Sequence, residues 1–288
     1  MKKNILVLGS SGQIGHHLCK YLKQQKYKVL KFDIVEGKKY DLRLNKNRLL
    51  QNYIRKSDYV FFLAFDVGGS RYLEKYQDSS KFILNNLSLM TNTFKILSKF
   101  GKPFLFASSQ MSNMSYSNYG LLKLIGEKIS ATLNGNSVKF WNVYGVEKDL
   151  EKSHVITDFV IKALTIKKIK MLTNGSESRE FLHAEDCSRG LTIIMNNHKK
   201  FKRQKKELHL TTGKKIKILD IARLVQKIAK NDNLKISIIR GKKRDSLQKN
   251  KRNKYNYYLN KFWKPKIKIS FGIKDIYQYY KINLKKKK

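Results

Sequence analysis

The sequence predicts an α/β protein in which a parallel sheet is wound in two directions and covered by helices on both faces. Three features of its first half indicate this: short apolar runs alternate with stretches of helical periodicity, a glycine-rich turn follows the first run, and an aspartate ends the second. Parallel strands buried on both faces read as nearly unbroken apolar runs. We expect a doubly wound, Rossmann-type sheet in residues 1–150 and a smaller C-terminal α/β region mainly in residues 151–288, with the chain able to cross back.

Each predicted element follows from one of two apolar patterns. Residues 4–8 form an apolar run closed by Gly9, which predicts a strand, and the spacing of Ile14, Leu18 and Leu22 predicts the helix after it. The same patterns predict strands at 28–33, 58–63, 103–107 and 138–141, and helices at 83–97, 117–133 and about 218–230.

The composition excludes several classes of protein. With 41% hydrophobic residues over 288 positions, the chain can bury a sizeable core, unlike a disordered or fibrous sequence. No apolar run approaches the roughly 18 residues of a membrane span, and the run after Met1 is too short for a secretory signal. Two cysteines and six histidines without ligand spacing predict neither disulfides nor a metal site. We therefore expect a cytoplasmic protein without a membrane segment.

The strong positive charge suggests a nucleic-acid-binding protein as an alternative. The chain carries 62 lysine and arginine residues against 21 acidic ones, a formal charge of +41. Of the basic residues 51 are lysine and 11 are arginine, whereas readout of phosphates and bases favours arginine. We therefore expect nucleic acid not to be the partner, and we keep a nucleic-acid-binding protein on the same scaffold as the alternative of a different class.

The glycine-rich turn after the first strand predicts a dinucleotide site. Glycine lets the backbone turn sharply and approach a pyrophosphate, whose charge then sits on free amides at the start of a helix. The residues expected to bind the cofactor there are Gly9, Ser11, Gly12, Gln13, Ile14 and Gly15.

Asp33 ends the second predicted strand, about twenty residues after the turn. A carboxylate at this position accepts hydrogen bonds from the ribose hydroxyls of adenosine and repels a 2′-phosphate. The sequence therefore predicts NAD rather than NADP as the cofactor.

A tyrosine and a lysine one helical turn apart form the candidate catalytic pair. The spacing Tyr-x-x-x-Lys occurs five times in this lysine-rich chain, so spacing alone has little value. Only Tyr119 and Lys123 follow a serine pair, Ser108 and Ser109, at the end of a predicted strand. On a helix the two side chains share a face, and the ammonium is expected to lower the phenol pKa from about 10, which would make Tyr119 a base near neutrality.

These motifs resemble the extended short-chain dehydrogenase/reductase family, in particular its NAD-dependent epimerase/dehydratase group, which acts on nucleotide sugars. The likeness extends over most of the chain, through 40–43, 61–64, 119–123, 141–145, 178–183 with Asp186, and 263–265. It implies an enzyme with an NAD-binding domain in residues 1–150 and a region for a nucleotide-diphosphate sugar mainly in residues 151–288. It also implies a homodimer built on the helices near residues 83–97 and 117–133.

The resemblance assigns roles to the catalytic residues. Tyr119 would take a proton from a sugar hydroxyl while that carbon gives hydride to NAD, and Lys123 would hold the cofactor ribose. Ser109, with Ser108 as the near alternative, would hydrogen-bond the reacting oxygen.

The resemblance also assigns binding residues. Asp41 and Leu42 would lie near adenine, and Leu63 and Ala64 would line the cofactor. On the substrate side, Arg179 and Arg244 match arginines that approach a diphosphate, and Asn142 is placed to hydrogen-bond the substrate from a strand end.

The residues after the serines narrow the choice of reaction within this family. Related dehydratases and decarboxylases place an acidic residue there and 3,5-epimerase-reductases a cysteine, whereas this chain has Gln110 and Met111. This favours a 4-epimerase, which oxidises the substrate transiently to a 4-keto sugar and reduces it again. An NAD(P)-dependent ketosugar reductase or a dehydratase of the same family is the alternative. The segment 110–118 is short for the family, which predicts a different sugar pocket.

Overall fold

The structure, a computed structural model, describes residues 3–243 and 255–285. Its strands are β1 (Asn4–Leu8), β2 (Lys28–Phe32), β3 (Tyr59–Phe62), β4 (Phe104–Ser109), β5 (Gly135–Phe140), β6 (Asn142–Tyr144), β7 (Lys168–Lys170), β8 (Ser178–His183), β9 (Leu208–Leu210), β10 (Lys215–Lys217) and β11 (Ser237–Ile239). Its α-helices are α1 (Gln13–Gln24), α2 (Arg48–Lys56), α3 (Ser70–Tyr76), α4 (Ser80–Phe100), α5 (Asn118–Thr132), α6 (Val155–Ile166), α7 (Ala184–Asn196), α8 (His198–Gln204), α9 (Ile218–Lys230) and α10 (Ile269–Lys285).

The central sheet is parallel, with its strands in the order β2-β1-β3-β4-β5-β9. β1 pairs with β2 on one side and with β3 on the other, so the direction of winding reverses at β1. At such a reversal the connections leave in opposite directions and open a crevice beyond the carboxyl ends of the strands. The predicted doubly wound α/β fold is confirmed.

Helices cover both faces of this sheet because its strands are apolar on both sides. Ile5 and Val7 of β1 join the core under α1 and α7, whereas Leu6 and Leu8 join the core under α2 and α4. All four side chains are fully buried, and each such burial contributes about 1.5–3 kcal/mol. β1, which leads into the glycine turn, is therefore held rigidly from both faces.

The second half of the chain builds a smaller unit and also returns to the first. β6, β8 and β10 form one small sheet, β7 and β11 form another, and α6, α9 and α10 enclose a third apolar core. However, β9 pairs with β5 at the edge of the central sheet, and α7 packs against α1. A single division near residue 150 therefore does not separate the two units.

Two differences from the predicted elements matter for the site. β4 extends to Ser109, beyond the predicted 103–107, so both serines lie at the carboxyl edge of the sheet. Helices α2, α3, α6, α7, α8 and α10 were not predicted from the sequence. Within residues 3–243 and 255–285, the helices are all too short or too polar to cross a membrane.

Candidate active site

A cavity of about 580 Å3 opens at the carboxyl ends of β1, β3, β4 and β5. Most of the predicted site residues line it, although they come from widely separated parts of the chain. These residues are Gly9, Ser11, Gly12, Gln13, Ile14, Gly15, Asp33, Asp41, Leu42, Leu63, Ala64, Ser109, Tyr119, Lys123 and Asn142.

Close backbone approaches shape the glycine turn at one end of the cavity. Gly9 has a φ of +81°, and a Cβ atom there would lie 2.7 Å from the backbone nitrogen of Ala64, where the ends of β1 and β3 meet. A Cβ atom at Gly15 would collide with the carbonyl oxygen of Gly9. A larger residue at Gly9 would push the turn away from the end of β3, and one at Gly15 would push the first turn of α1 away from Gly9.

Asp33 ties the end of β2 to this turn. Its Oδ2 accepts a hydrogen bond from the Ser11 amide at 2.9 Å, and its Oδ1 accepts one from the Val35 amide at 3.2 Å. The fixed carboxylate retains lone pairs for ribose hydroxyls. Nearby, the side-chain nitrogen of Gln13 is buried without a hydrogen-bond partner in the described part of the chain. These groups fit the ribose and pyrophosphate of a dinucleotide.

Asp41 and Leu42 lie along the same wall of the cavity. The Arg43 guanidinium contacts both carboxylate oxygens of Asp41 at 2.7–3.0 Å. Burial acts to raise the pKa of Asp41, but the hydrogen bonds from Arg43 outweigh it and lower the pKa below its usual range. Asp41 therefore stays ionised as a fixed acceptor at the cavity edge.

β4 and α5 bring the candidate catalytic side chains together. Ser109 is the last residue of β4, and Tyr119 is the second residue of α5. Burial raises the pKa of Tyr119 to about 12, and a hydrogen bond with Ser109 acts in the opposite direction. The ring of Phe65 packs edge-on against Tyr119, with centroids 5.7 Å apart. Tyr119 is therefore protonated at neutral pH in this arrangement.

Lys123 is buried one helical turn beyond Tyr119. Its ammonium donates a hydrogen bond to the Ala107 carbonyl at 2.7 Å. It lies 3.6 Å from the ring centroid of Phe65 and 5.7 Å from that of Tyr119. Burial lowers the pKa of Lys123 well below its usual value, with Glu127 acting against this shift. The prediction that Lys123 brings the pKa of Tyr119 down toward neutrality is wrong here, because burial dominates at both groups.

The two adjacent serines have different partners. Ser108 donates a hydrogen bond to the carboxylate of Glu127 on α5. The Ser109 hydroxyl accepts a hydrogen bond from the Met111 amide at 3.1 Å and also bonds Tyr119. The structure therefore brings Ser109, rather than Ser108, to the tyrosine.

A titratable pair that the sequence did not reveal also lines the cavity. His154 Nδ1 lies 2.6 Å from Oε1 of Glu147, and the His154 amide donates to Oε2 at 2.9 Å. Burial opposes both shifts, but the ion pair raises the pKa of His154 and lowers that of Glu147. The sequence suggested a packing or surface role for His154, because a histidine seven residues after a glutamate does not match the spacing of any known site motif.

Asp66 is a second cavity residue that the sequence did not reveal. Its carboxylate accepts hydrogen bonds from the Tyr72 hydroxyl at 2.6 Å and from the Lys152 ammonium at 3.2 Å. Burial acts to raise the pKa of Asp66, but these partners lower it. Lys152 also lines the cavity, so this ion pair joins the segment after β3 to the segment after β6.

The predicted substrate-side residues are not brought together. Asn142 lines the cavity, and its side-chain nitrogen donates to the Glu180 carbonyl at 3.2 Å. Arg179, in β8, donates to the Ser178 carbonyl at 2.8 Å and is not among the residues that line the cavity. Arg244 lies outside the described residues. In the described ranges, no group of three histidine, cysteine or acidic side chains is arranged to hold a metal ion.

A model of the NAD dependent epimerase/dehydratase family matches residues 5–207. The chain belongs to this family. The match confirms the resemblance seen in the sequence, and it covers the glycine turn, Asp33 and the Ser109, Tyr119 and Lys123 set. The protein is accordingly an enzyme of the extended short-chain dehydrogenase/reductase type whose cofactor is NAD.

Individual relatives are distant but match over nearly the whole chain. GDP-L-fucose synthase of Sinorhizobium fredii is 22% identical over 98% of this chain and 96% of its own. The structure of UDP-glucose 4-epimerase with UDP-glucose from Thermotoga maritima is 19% identical, with a TM-score of 0.76 over 98% of this chain and 99% of its own. A GDP-6-OMe-4-keto-L-xylo-heptose reductase from C. jejuni is 18% identical, with a TM-score of 0.81 over 98% of each chain. At this identity the structural likeness shows the shared fold.

Proposed function

We propose that this enzyme is an NAD-dependent nucleotide-sugar 4-epimerase. One observation carries the proposal: Ser109, Tyr119 and Lys123 line the same cavity as the glycine turn and Asp33. A sugar carbon beside Tyr119 would therefore share one enclosed space with a dinucleotide on the turn. The UDP-glucose 4-epimerase of Thermotoga maritima, which has the same fold, supports a nucleotide sugar as the substrate class.

The reaction needs one proton carrier and one hydrogen-bond donor from the protein. NAD, held by the glycine turn and Asp33, would supply the hydride chemistry for oxidising the sugar at C4 and reducing the resulting ketone. Tyr119, after its phenol has ionised, takes the proton of the 4-hydroxyl in the first half and returns it in the second. Ser109 donates a hydrogen bond to the same oxygen, and Lys123 holds the nicotinamide ribose. Asn142, the first residue of β6, would hydrogen-bond the substrate.

A one-way ketosugar reductase is the second candidate, because two groups in the cavity favour proton donation. Burial keeps Tyr119 in its protonated form, and the ion pair with Glu147 favours protonated His154. Reduction of a ketone needs a protonated acid from the start, whereas oxidation of an alcohol needs a base. The reductase from C. jejuni with the same fold agrees with this candidate.

A dehydratase, which eliminates water, has less support. Gln110 and Met111, which follow the serine, are buried and carry no titratable proton. Two of the carboxylates that line the cavity, Asp66 and Glu147, are held in ion pairs. A carboxylate with a lowered pKa is a poor proton donor at neutral pH.

The proposal is tested by incubating the enzyme with UDP-, GDP- and dTDP-sugars and recording NMR spectra for new anomeric signals. An epimerase interconverts two sugars without added coenzyme, and its rate rises with pH because Tyr119 must lose a proton. A reductase consumes added reduced coenzyme in equal amount to product, and its rate does not need Tyr119 ionised. Absence of both activities across the panel would refute a nucleotide-sugar substrate.

We infer that the enzyme is a homodimer that associates through α4 and α5. Leu84, Leu121 and Ile125 on these helices are 61%, 38% and 44% exposed and would be covered in such a dimer. Light scattering after size exclusion should give twice the mass of 33.8 kDa. The double substitution of Leu121 and Ile125 by glutamate should give the single mass, and an unchanged mass would place the interface elsewhere.

A nucleic-acid-binding protein on the same scaffold is the alternative of a different class. A nucleic-acid-binding role requires affinity for RNA or DNA that falls steeply with salt, together with no sugar turnover. Turnover of a nucleotide sugar by enzyme that retains NAD would exclude this role as the main one.

A further inference from the structure

Trp141 forms part of the cavity wall beside the candidate catalytic serine. The register of β4 and β5 pairs Phe140 with Ser109, and Trp141 follows directly. Its side chain is partly exposed and lines the cavity, unlike that of Trp263, which is buried in the core. An aromatic ring therefore stands at the substrate end, next to the predicted reacting centre.

A chain of polar groups fixes the orientation of the Trp141 indole. Its Nε1 donates a hydrogen bond to Nδ1 of His209 at 3.1 Å, and Nε2 of His209 lies 3.2 Å from Glu207 Oε2. An indole N–H can only donate, so the geometry assigns the His209 proton to Nε2, where it is donated to Glu207. Buried Lys139 is the last group in this series and forms a 2.8 Å ion pair with Glu207.

The same network also fixes the turn that follows the catalytic serine. Lys139 donates a second hydrogen bond to Asn113 at 2.9 Å. The hydrogen bond with His209 and that with Lys139 hold the pKa of Glu207 down at about 2, so the carboxylate stays charged. His209 and Lys139 are buried and both are paired with the half-exposed Glu207, so the polar groups that support the indole are satisfied.

The indole presents an apolar ring to the cavity, because its polar atom is already bonded to His209. The ring of Tyr255 stands perpendicular to that of Trp141, with centroids 6.2 Å apart, and lies 5.9 Å from that of His209. These contacts restrict the indole from the sides and leave a rigid surface. Such a surface matches the C–H faces of a sugar ring, which are apolar and nearly flat.

We propose that Trp141 is the platform on which the glycosyl ring of the nucleotide sugar stacks, and that His209 is the positioning residue that sets its plane. The inference rests on the proposed function and deepens it, because it names the part of the substrate that this wall receives. A fixed ring plane next to Ser109 sets which sugar hydroxyl reaches Tyr119. The bulk of the platform thereby helps to select the sugar.

Tryptophan fluorescence tests the contact directly, because the chain contains only Trp141 and Trp263. The nucleotide sugar of the panel that binds in calorimetry is titrated into the enzyme, and the matching nucleoside diphosphate is titrated in parallel. We expect the sugar nucleotide to change the emission, the nucleoside diphosphate not to change it, and Trp141→Phe to abolish the response. An equal response to the nucleoside diphosphate, or a response retained in Trp141→Phe, would overturn the platform.

Steady-state kinetics test the positioning role of His209. Trp141→Leu should raise KM for the sugar nucleotide about tenfold with NAD retention unchanged, and Trp141→Phe should raise it less because a ring remains. His209→Asn keeps an acceptor for the indole and should stay near the wild-type KM, whereas His209→Leu should match Trp141→Leu. Equal KM values for the two His209 variants would refute the positioning role.

The two proposals fail in distinguishable ways. If no sugar nucleotide of the panel binds to the unaltered enzyme, the proposed function is refuted and the platform with it. If one binds and turns over while the tryptophan emission stays constant, the function stands and only the platform is refuted.

Discussion

The two ends of the cavity are built in different ways. The coenzyme end is one continuous turn, Gly9 to Gly15, closed by a single carboxylate from the next strand, Asp33. The substrate end depends on pairs distant in sequence, such as Trp141 with His209. The first is fixed by backbone shape, so side-chain changes elsewhere leave it intact. The second is fixed by side chains, so it can change its ligand while the fold is kept.

The relatives agree with this difference. They share the fold over nearly the whole chain, yet they are named for GDP-L-fucose, UDP-glucose and a GDP-linked keto-heptose. One fold can carry sites for different ligands, which agrees with this range of names. The following experiments test the two ends of the cavity separately, beginning with Tyr119, which lies between them.

Tyr119→Phe should have the largest effect, because it removes the proton carrier at the junction of the two ends. We expect turnover to fall about a thousandfold or more, with NAD still retained after gel filtration. Tyr144→Phe is the matched control: Tyr144 has the same spacing to Lys148 but is buried outside the cavity lining. Equal activity in Tyr119→Phe and wild type would refute the assignment of the base.

Substituting the two adjacent serines separately should distinguish catalysis from packing. Ser109→Ala should lower kcat about a hundredfold, because the reacting oxygen loses a hydrogen bond. Ser108→Ala should leave kcat within about threefold and lower the free energy of unfolding by about 1 kcal/mol, since Glu127 loses a donor. Turnover and urea unfolding of both variants provide the check. The reverse order of kcat values would move the catalytic role to Ser108.

Asp33→Ala tests the coenzyme end alone. Removing the carboxylate should raise the affinity for NADP relative to NAD about tenfold, because a 2′-phosphate is no longer repelled. Glu36→Ala removes the same charge from an exposed site three residues on and should leave the ratio unchanged. Calorimetric titration with both coenzymes measures the ratio, and no change in Asp33→Ala would contradict the ribose contact.

The pair of His154 and Glu147 should make the stability of the folded protein depend on pH. Because Glu147 has a lower pKa in the folded protein than in the unfolded chain, where it is about 4.3, its ionisation stabilises the fold above about pH 4.3. This stabilisation is lost as the pH falls through the pKa that Glu147 has in the folded protein. Because His154 has a higher pKa in the folded protein than in the unfolded chain, where it is about 6.5, its protonation stabilises the fold fully below about pH 6.5. This stabilisation is lost as the pH rises through the pKa that His154 has in the folded protein.

The pair should therefore stabilise most between about pH 4.5 and 6.5. We expect the difference in Tm between wild type and His154→Gln to be about 1–3 °C in this window and to shrink above it, because the imidazole is partly exposed. Thermal unfolding followed by circular dichroism over pH 4–9 measures it. A difference that does not vary with pH would show that the two groups do not form an ion pair in solution.

Local patterns predicted the sheet and its coenzyme end well. Apolar runs gave β1, β2 and β3 to within about one residue, and the helical periodicity at residues 83–97 located α4. The same reasoning missed α6, α7 and α10, whose burial depends on contacts with distant elements. It also gave the wrong direction for the pKa of Tyr119, because a spacing of four residues shows the charge nearby but not the burial around it.

The sequence by itself determined strands β1 to β5, helices α1, α4, α5 and α9, the glycine turn and the acidic end of β2, because each depends on neighbours a few positions away. Only the tertiary structure decided which serine meets Tyr119, that His154 pairs with Glu147 inside the cavity, and that Arg179 does not line it. It also decided that β9 closes the central sheet from the second half of the chain. These outcomes depend on which side chains, distant in sequence, are buried together in the folded protein. Neither the composition nor the spacing of residues along the chain contains that information.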